Sequence, residues 1–315
     1  MTNEFTLKSL SEMSLPESIL NQVNLIIQSS KKTGELPGHI MLDGIAGGGK
    51  TTLAGLIAKE LNMEFIQCGI TTNYAELFVE LNNKNKKNAK INRMYFMDEA
   101  HAIPKSIFDL LLTVLSDNEV TMSRNGLNYI FHLPQTTWTI STTNPEKIPS
   151  PFKNRCSNHI TFAPYDSNTL KEIAIKNLTK LNLILDEDSL NMLVRISRKT
   201  PRTLIHTIIK NLDRYTSLID TRNITYPVFL DYMKYIGIDQ YGLSERERAV
   251  IRLLGEDQKL TAMPIKTVST ISGIDEVTLK ESVEPYLVSI GAIGITTRGR
   301  MLTQHGLELY KELET

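Results

Sequence analysis

Short apolar strands alternate with helices as far as residue 163, and a glycine-rich turn joins the first of those strands to a helix. Three helices with no strand between them follow Pro164. These observations predict an α/β protein in three parts: a P-loop core with a parallel sheet over 1–163, a helical lid over 164–239 and a C-terminal winged-helix domain over 240–315. A chain of 315 residues is too long for one ordinary hydrophobic core and suits two or three.

The elements follow in order. Residues 17–33 carry Ile19, Val23, Ile26 and Ile27 at helical spacing, and Leu36-Pro37-Gly38 breaks that helix. The apolar run His39 to Leu42 is a strand that leads directly into glycines, and Thr52 to Leu61 is a helix with Leu53, Leu56, Ile57 and Leu61 as its stripe. Phe65 to Ile70 is a second strand, Asn82 to Asn92 a solvated loop rich in Asn and Lys, Met94 to Met97 a buried strand, and Ser106 to Leu115 an apolar helix. Val120 to Leu133 reads as a β-hairpin with Asn125-Gly126 at its tip, and Thr137 to Ser141 as another buried strand. Beyond Pro164 the helices are Asn168 to Leu181, Asp188 to Arg198 and Arg202 to Ser217. Asp186 or Glu187 can cap the second, and Thr200-Pro201 opens the third. Tyr241-Gly242 marks a hinge. Helices near 244–254, 264–271 and 275–289 then precede short strands bracketed by Gly291, Gly294 and Gly299, the order of a winged helix.

Lys+Arg and Asp+Glu both number 35, so any nucleic-acid affinity must come from a local patch and not from a global field. The two cysteines, Cys68 and Cys156, fit a reducing, cytoplasmic setting and provide neither a disulfide framework nor a zinc-ligand set. Met1 to Leu15 lacks the apolar stretch of a signal peptide, and no segment approaches the ~18 apolar residues of a membrane helix, so no membrane association is expected.

Two motifs carry chemistry. Gly44-Ile45-Ala46-Gly47-Gly48-Gly49-Lys50-Thr51 fits G-x-x-x-x-G-K-[ST] at every fixed position, after a strand and before a helix. The glycines allow successive N–H groups to point at phosphate oxygens, and the helix start adds its positive end. Lys50 is expected to reach the β/γ-phosphates of ATP, and Thr51 to ligate Mg²⁺. About fifty residues on, Met94-Tyr95-Phe96-Met97 ends in Asp98-Glu99, which places two carboxylates in the crevice at the strand ends. Asp98 would hold Mg²⁺ and Glu99 would polarise the attacking water. Taken alone, such a pair reads better as a solvated helix cap; the P-loop reverses that reading.

A third strand end, Thr142-Thr143-Asn144, offers a polar group to the γ-phosphate or the water. Arg155 follows shortly and is either a surface arginine or a group that acts on the nucleotide of a neighbouring subunit. His101 completes a D-E-x-H spelling and reads as a packing or hydrogen-bonding histidine.

From about residue 36 onward these residues resemble the RuvB family, AAA+ motors of Holliday-junction branch migration. The marks are Gly49-Lys50-Thr51-Thr52-Leu53-Ala54, Asp98-Glu99-Ala100-His101, Ser141-Thr142-Thr143-Asn144, Thr200-Pro201-Arg202, Glu284-Pro285-Tyr286-Leu287 and Thr297-Arg298-Gly299-Arg300. The resemblance implies a hexameric homo-oligomer that moves DNA, as four-way junction or duplex. It makes Thr143 with Asn144 the sensor of the γ-phosphate, Arg155 the arginine finger supplied in trans and Arg202 the second sensor. Tyr165 takes the place of an aromatic ring near adenine, Arg298 and Arg300 lie in the DNA-contacting wing, and the hairpin 120–133 corresponds to the element that grips a RuvA-like partner.

The chain also departs from the family pattern. Its loop reads Gly44-Ile45-Ala46-Gly47 where G-P-P-G is usual, Lys153 replaces the first of an arginine pair, and Thr6 to Pro16 shows no adenine-pocket signature. Two other readings stay open: a loader or switch ATPase that places a protein partner on DNA, for which Asn154-Arg155-Cys156 resembles the clamp-loader motif, and a winged-helix DNA-binding module with a structural ATP.

Overall fold

α1 (Glu17–Thr33) buries Ile19, Val23, Ile26 and Ile27 along one face and stops at Gly34, whose φ of 74° is the left-handed cap that a side chain resists. The structure is a computed structural model that describes residues 5–86, 92–124, 127–256 and 261–314. The chain continues through β1 (Ile40–Gly44), α2 (Lys50–Glu60), β2 (Glu64–Cys68), α3 (Tyr74–Lys86), β3 (Arg93–Met97) and α4 (Lys105–Asp117). A hairpin of β4 (Glu119–Arg124) and β5 (Leu127–His132) follows, then β6 (Thr137–Thr142), α5 (Ser150–Lys153) and β7 (Asn158–Phe162).

Five strands form one sheet in the order β2-β3-β6-β1-β7, with every neighbouring pair parallel. β3 and β6 are buried at every position: after Arg93, β3 is apolar, whereas β6 alternates Thr137, Thr139 and Ser141 with Trp138 and Ile140. Trp138 stacks on Tyr95 with ring centroids 4.8 Å apart, and Phe108 meets Phe152 edge-on at 4.9 Å. Because the strands are parallel, their carboxyl ends gather Gly44, Asp98, Thr143 and Phe162 along one edge of the sheet.

One expectation for this region needs correction. The Asn- and Lys-rich stretch from Asn82 is not all loop: α3 runs to Lys86, held by buried Tyr74, Phe78 and Leu81 at helical spacing. The rest of that stretch, 87–91, lies outside the described residues, as does the hairpin tip Asn125-Gly126. The hairpin itself is antiparallel, with Val120 opposite Phe131.

Beyond β7 come α6 (Ser167–Lys180), β8 (Ile184–Leu185), α7 (Glu187–Ile196), a π-helical stretch Thr203–Ile209 that leads into α8 (Lys210–Leu218), β9 (Asn223–Ile224) and α9 (Tyr226–Tyr235). Asp166 and Asp186 cap α6 and α7 by accepting from Thr169 N and Ser189 N at 2.9 and 2.8 Å. The region is not free of strands, since β8 pairs in parallel with β9. The last segment contains α10 (Glu245–Glu256), α11 (Ile265–Ser272), α12 (Glu276–Thr278), π-helical turns into α13 (Glu284–Ser289), the antiparallel pair β10 (Ile293–Thr296) and β11 (Gly299–Leu302), and α14 (Gln304–Glu314). α9 and α14 are helices that the sequence reading did not place.

The chain divides into two compact units: Met1–Asn182 with Lys199–Asn211, and Leu183–Arg198 with Leu212–Thr315. The second has its own core of Leu243, Val250, Ile251, Leu279, Leu287 and Leu302. Inside it Glu247, 1% exposed, accepts from the N–H and hydroxyl of Ser244 at 2.7 Å each and from Arg198 at 2.8 Å. The Arg198 guanidinium also lies over the Tyr286 ring, 4.5 Å from its centroid. Among the described residues no helix is long and apolar enough to cross a membrane.

Trp138 is 1% exposed at the centre of the sheet. Trp138→Ala is expected to destabilise the first unit by about 3–5 kcal/mol and to lower its Tm by roughly 10 °C in a thermal melt followed by circular dichroism.

Candidate nucleotide-binding site

The site begins where β1 ends. Gly44 has φ 113°, and a side chain there would collide with the carbonyl of Phe162 on β7, so glycine is the residue that lets the strand turn. Gly47 and Gly49 also have positive φ, 74° and 99°, and α2 starts at Lys50. The carbonyls of this loop are tied to protein donors. Gly44 O and Ile45 O accept from Lys50 Nζ at 3.0 and 2.8 Å, Gly47 O from Arg202 N at 3.2 Å, Gly48 O from Tyr165 Oη at 2.8 Å and Gly49 O from Leu53 N at 2.9 Å. Carbonyls turned into the protein leave the N–H side of the loop for an anion.

Lys50 is 6% exposed, and that burial lowers its pKa, opposed by the charges of Glu99 and Asp98. Asp98 is held by three donors: Ser141 Oγ at 2.6 Å and Glu99 N at 3.1 Å reach Oδ1, and Thr51 Oγ1 lies 3.4 Å from Oδ2. Glu99 has φ 45°, a left-handed position that is strained for a residue with a side chain. Its Oε2 lies 3.5 Å from Thr143 Oγ1 and 3.3 Å from His101 Nδ1, and the same nitrogen is 3.0 Å from Thr142 Oγ1. Asn144 is half-buried and donates its N–H to Thr142 Oγ1 at 3.0 Å.

A cavity of about 710 Å³ is lined by Gly47, Gly48, Gly49, Lys50, Thr51, Thr52, Asp98 and Glu99. Tyr165 and Arg202 line it as well. Tyr165 is 2% exposed, and burial pushes its phenol pKa up, so it stays a donor. Sequence reasoning missed two parts of the wall. Phe5, Leu7 and Met13 from the N-terminal segment line it, and so does Asn177 of α6. The apolar residues Leu7, Leu10, Met13 and Leu15 were the available signal for the first; α6 read only as a helix.

Arg155 does not line this cavity. It is exposed beside α4, where it donates to Ser116 Oγ at 2.5 Å and to Pro151 O at 2.9 Å. The two wing arginines are treated differently by the fold. Arg298 is exposed at the β10–β11 turn, and its backbone N–H donates to Thr296 Oγ1 at 3.2 Å. Arg300 turns inward onto Glu284 in a bidentate pair at 2.6 and 3.0 Å, with side-chain exposures of 14% and 6%.

The donor set fits a nucleoside triphosphate with Mg²⁺. The loop is a cradle that a Cβ at Gly47 would fill, reaching 2.8 Å from Arg202 Cβ. Thr51 and Asp98 are oxygen donors of the kind Mg²⁺ takes, and no cluster of three or more His, Cys, Asp or Glu forms among the described residues. That is the arrangement for an ion held largely by phosphate oxygens and water.

A five-stranded parallel sheet of this order, a P-loop directly after β1 and a winged helix at the end define an AAA+ P-loop ATPase fold. Residues 6–161 match the family model described as the Holliday junction DNA helicase RuvB P-loop domain, and 240–311 match the RuvB C-terminal winged helix domain. A Fervidobacterium nodosum Holliday junction branch migration complex subunit RuvB is 30% identical over 303 residues, covering 94% of this chain and 86% of the relative. The solved Thermotoga maritima RuvB Holliday junction branch migration motor superposes with a TM-score of 0.81 at 25% identity, covering 99% of each chain. The chain belongs to the RuvB family.

Gly47→Ala puts a side chain at φ 74° against Arg202. It is expected to weaken ATP binding at least about fivefold while the far-ultraviolet spectrum stays unchanged, as read by calorimetric titration.

Proposed function

We propose that this chain is a Mg²⁺-dependent ATPase that works as a homo-oligomeric ring, of hexameric size, and drives branch migration of four-way DNA junctions. The observation that carries the reading is Lys50 buried beside Asp98 and Glu99, at a loop in which five carbonyls are tied inward, in a chain of the RuvB family. On ATP binding the Lys50 ammonium exchanges the carbonyls of Gly44 and Ile45 for β- and γ-phosphate oxygens. Thr51 and Asp98 would hold Mg²⁺, which supplies positive charge to the phosphate oxygens when bound. Glu99 turns from Thr143 and His101 to polarise the attacking water, and Thr143 with Asn144 reports the γ-phosphate. Arg202 reaches the phosphates from the same chain, and Arg155 from the neighbouring copy, which fits its place outside its own cavity.

Arg298 is the wing residue assigned to DNA phosphate. Arg300 is assigned to shaping the wing through Glu284. A RuvA-like partner is assigned to the hairpin, where Tyr129 and Ile130 are 47% and 59% exposed. One observation favours a second reading, a loader or switch whose winged helix docks on protein: Ile271, Val277 and Ile295 are 59%, 61% and 52% exposed there.

ATP turnover with four-way junction, duplex and single-stranded DNA, against Glu99→Gln, tests the motor. Junction or duplex stimulation that disappears in Glu99→Gln supports it; turnover indifferent to every DNA sinks it and leaves the loader or switch. For the wing, Arg298→Ala is expected to weaken junction binding and to reduce the slope of log affinity against log salt by about 1, measured by fluorescence anisotropy at several salt concentrations. An unchanged slope removes Arg298 from the phosphate contact.

A further inference from the structure

We propose that Ser116 is a positioning residue for Arg155: its hydroxyl oxygen holds the guanidinium at Nε, so that the far end of the fork is presented to the nucleotide of a neighbouring copy. The proposal rests on the reading of Arg155 given above and deepens it.

Backbone and side chain of Arg155 are both fixed by its own chain. Its N–H donates to Phe152 O at 3.1 Å, at the end of α5. Phe152 is buried and meets Phe108 edge-on, which seats α5 against α4. The side chain reaches the last turn of the same α4, where Nε donates to Ser116 Oγ at 2.5 Å, and Nη1 donates to Pro151 O at 2.9 Å. Ser116 Oγ gives its one hydrogen to Leu112 O at 3.0 Å, one turn back on the helix. That bond fixes where the oxygen's lone pairs point, and the guanidinium, which only donates, meets them.

Two features separate this arrangement from an arginine parked in a surface ion pair. Both acceptors are neutral, and among the described residues no carboxylate is in ion-pair contact with Arg155, so its charge is not neutralised locally. The bonds also use Nε, the nitrogen nearest the stem, and one hydrogen of Nη1, which leaves both hydrogens of Nη2 for a ligand. Arg155 and Ser116 are exposed, and an untethered arginine there loses rotamer freedom each time it engages a phosphate. Holding the stem in advance removes part of that cost.

The test is steady-state ATP turnover of the full chain with four-way junction present. Ser116→Ala is expected to lower kcat about fivefold with KM little changed, the effect of one lost hydrogen bond. Alanine favours a helix more than serine does, so this variant is expected to melt at or above the wild-type temperature. Ser116→Thr keeps an oxygen at that place and is expected to restore at least about half of wild-type kcat. Ser116→Val, of the same shape without the oxygen, is expected to behave as Ser116→Ala. Mixed oligomers then assign the effect to one copy. Lys50→Ala subunits offer Arg155 but have no working site, Arg155→Ala subunits have the site but no finger, and the mixture is expected to regain turnover that neither has alone. Ser116→Ala added to the Lys50→Ala subunit is expected to lower that turnover about fivefold, and added to the Arg155→Ala subunit to leave it as it was. Wild-type kcat in Ser116→Ala, a Ser116→Thr no better than Ser116→Val, or an equal loss whichever subunit carries Ser116→Ala overturns the proposal. Wild-type turnover in Arg155→Ala alone, or a mixture that regains nothing, overturns the reading of Arg155 instead.

Discussion

The constraint on which the site depends is the direction of five carbonyl groups. A loop that binds anions must aim its N–H groups outward, and each peptide that does so aims its carbonyl inward, where it needs a donor. This chain supplies the donors from four places: Lys50 Nζ for Gly44 and Ile45, the backbone of Arg202 for Gly47, Tyr165 for Gly48 and α2 itself for Gly49. Ile45 N in turn donates to Phe162 O at 3.0 Å, which fastens the loop to β7. The loop is thus organised before any phosphate arrives. The usual prolines of the family loop are absent here, and side-chain and backbone donors hold the loop instead.

Sheet order then decides which acids meet the loop. β6 lies between β3 and β1, so Ser141 near the end of β6 reaches back to Asp98 while Thr51 approaches it from α2. With two hydroxyls and a backbone N–H around it, the Asp98 side chain is held in place. Glu99, one residue later, is bent to φ 45° and held only by long contacts to Thr143 and His101. The two neighbours differ as their proposed roles differ: one fixed for a cation, the other free to turn toward water.

Much of this was legible in the sequence because it is local. The P-loop announces itself by spacing, β3 by the apolar run Met94 to Met97, and α7 by Asp186 at its start. What escaped was set by distant partners. α3 was read partly as loop because Asn and Lys dominate its second half, whereas Tyr74, Phe78 and Leu81 alone decide its burial. Arg300 looked like Arg298 in sequence; only Glu284, sixteen residues away in the chain, separates an inward arginine from an outward one. The N-terminal wall escaped for the same reason, since its apolar residues acquire meaning only against α6.

One short stretch links the two units in a way that bears on the proposed motor. The chain leaves the second unit at Arg198 and enters the first at Lys199, and both residues have φ 56°, a left-handed pair that side chains resist. Each is anchored on its own side. Arg198 grips Glu247 of the winged-helix segment at 2.8 Å, and the carbonyl of Lys199 accepts from Tyr165 N at 3.0 Å. Three residues later Arg202 N holds the P-loop carbonyl of Gly47. The covalent path from the nucleotide loop to the winged-helix segment is therefore four peptide bonds long, from Arg198 to Arg202. Strained backbone persists only where the surroundings hold it, and here each of the two residues is held within its own unit, Arg198 by Glu247 and Lys199 by the N–H of Tyr165.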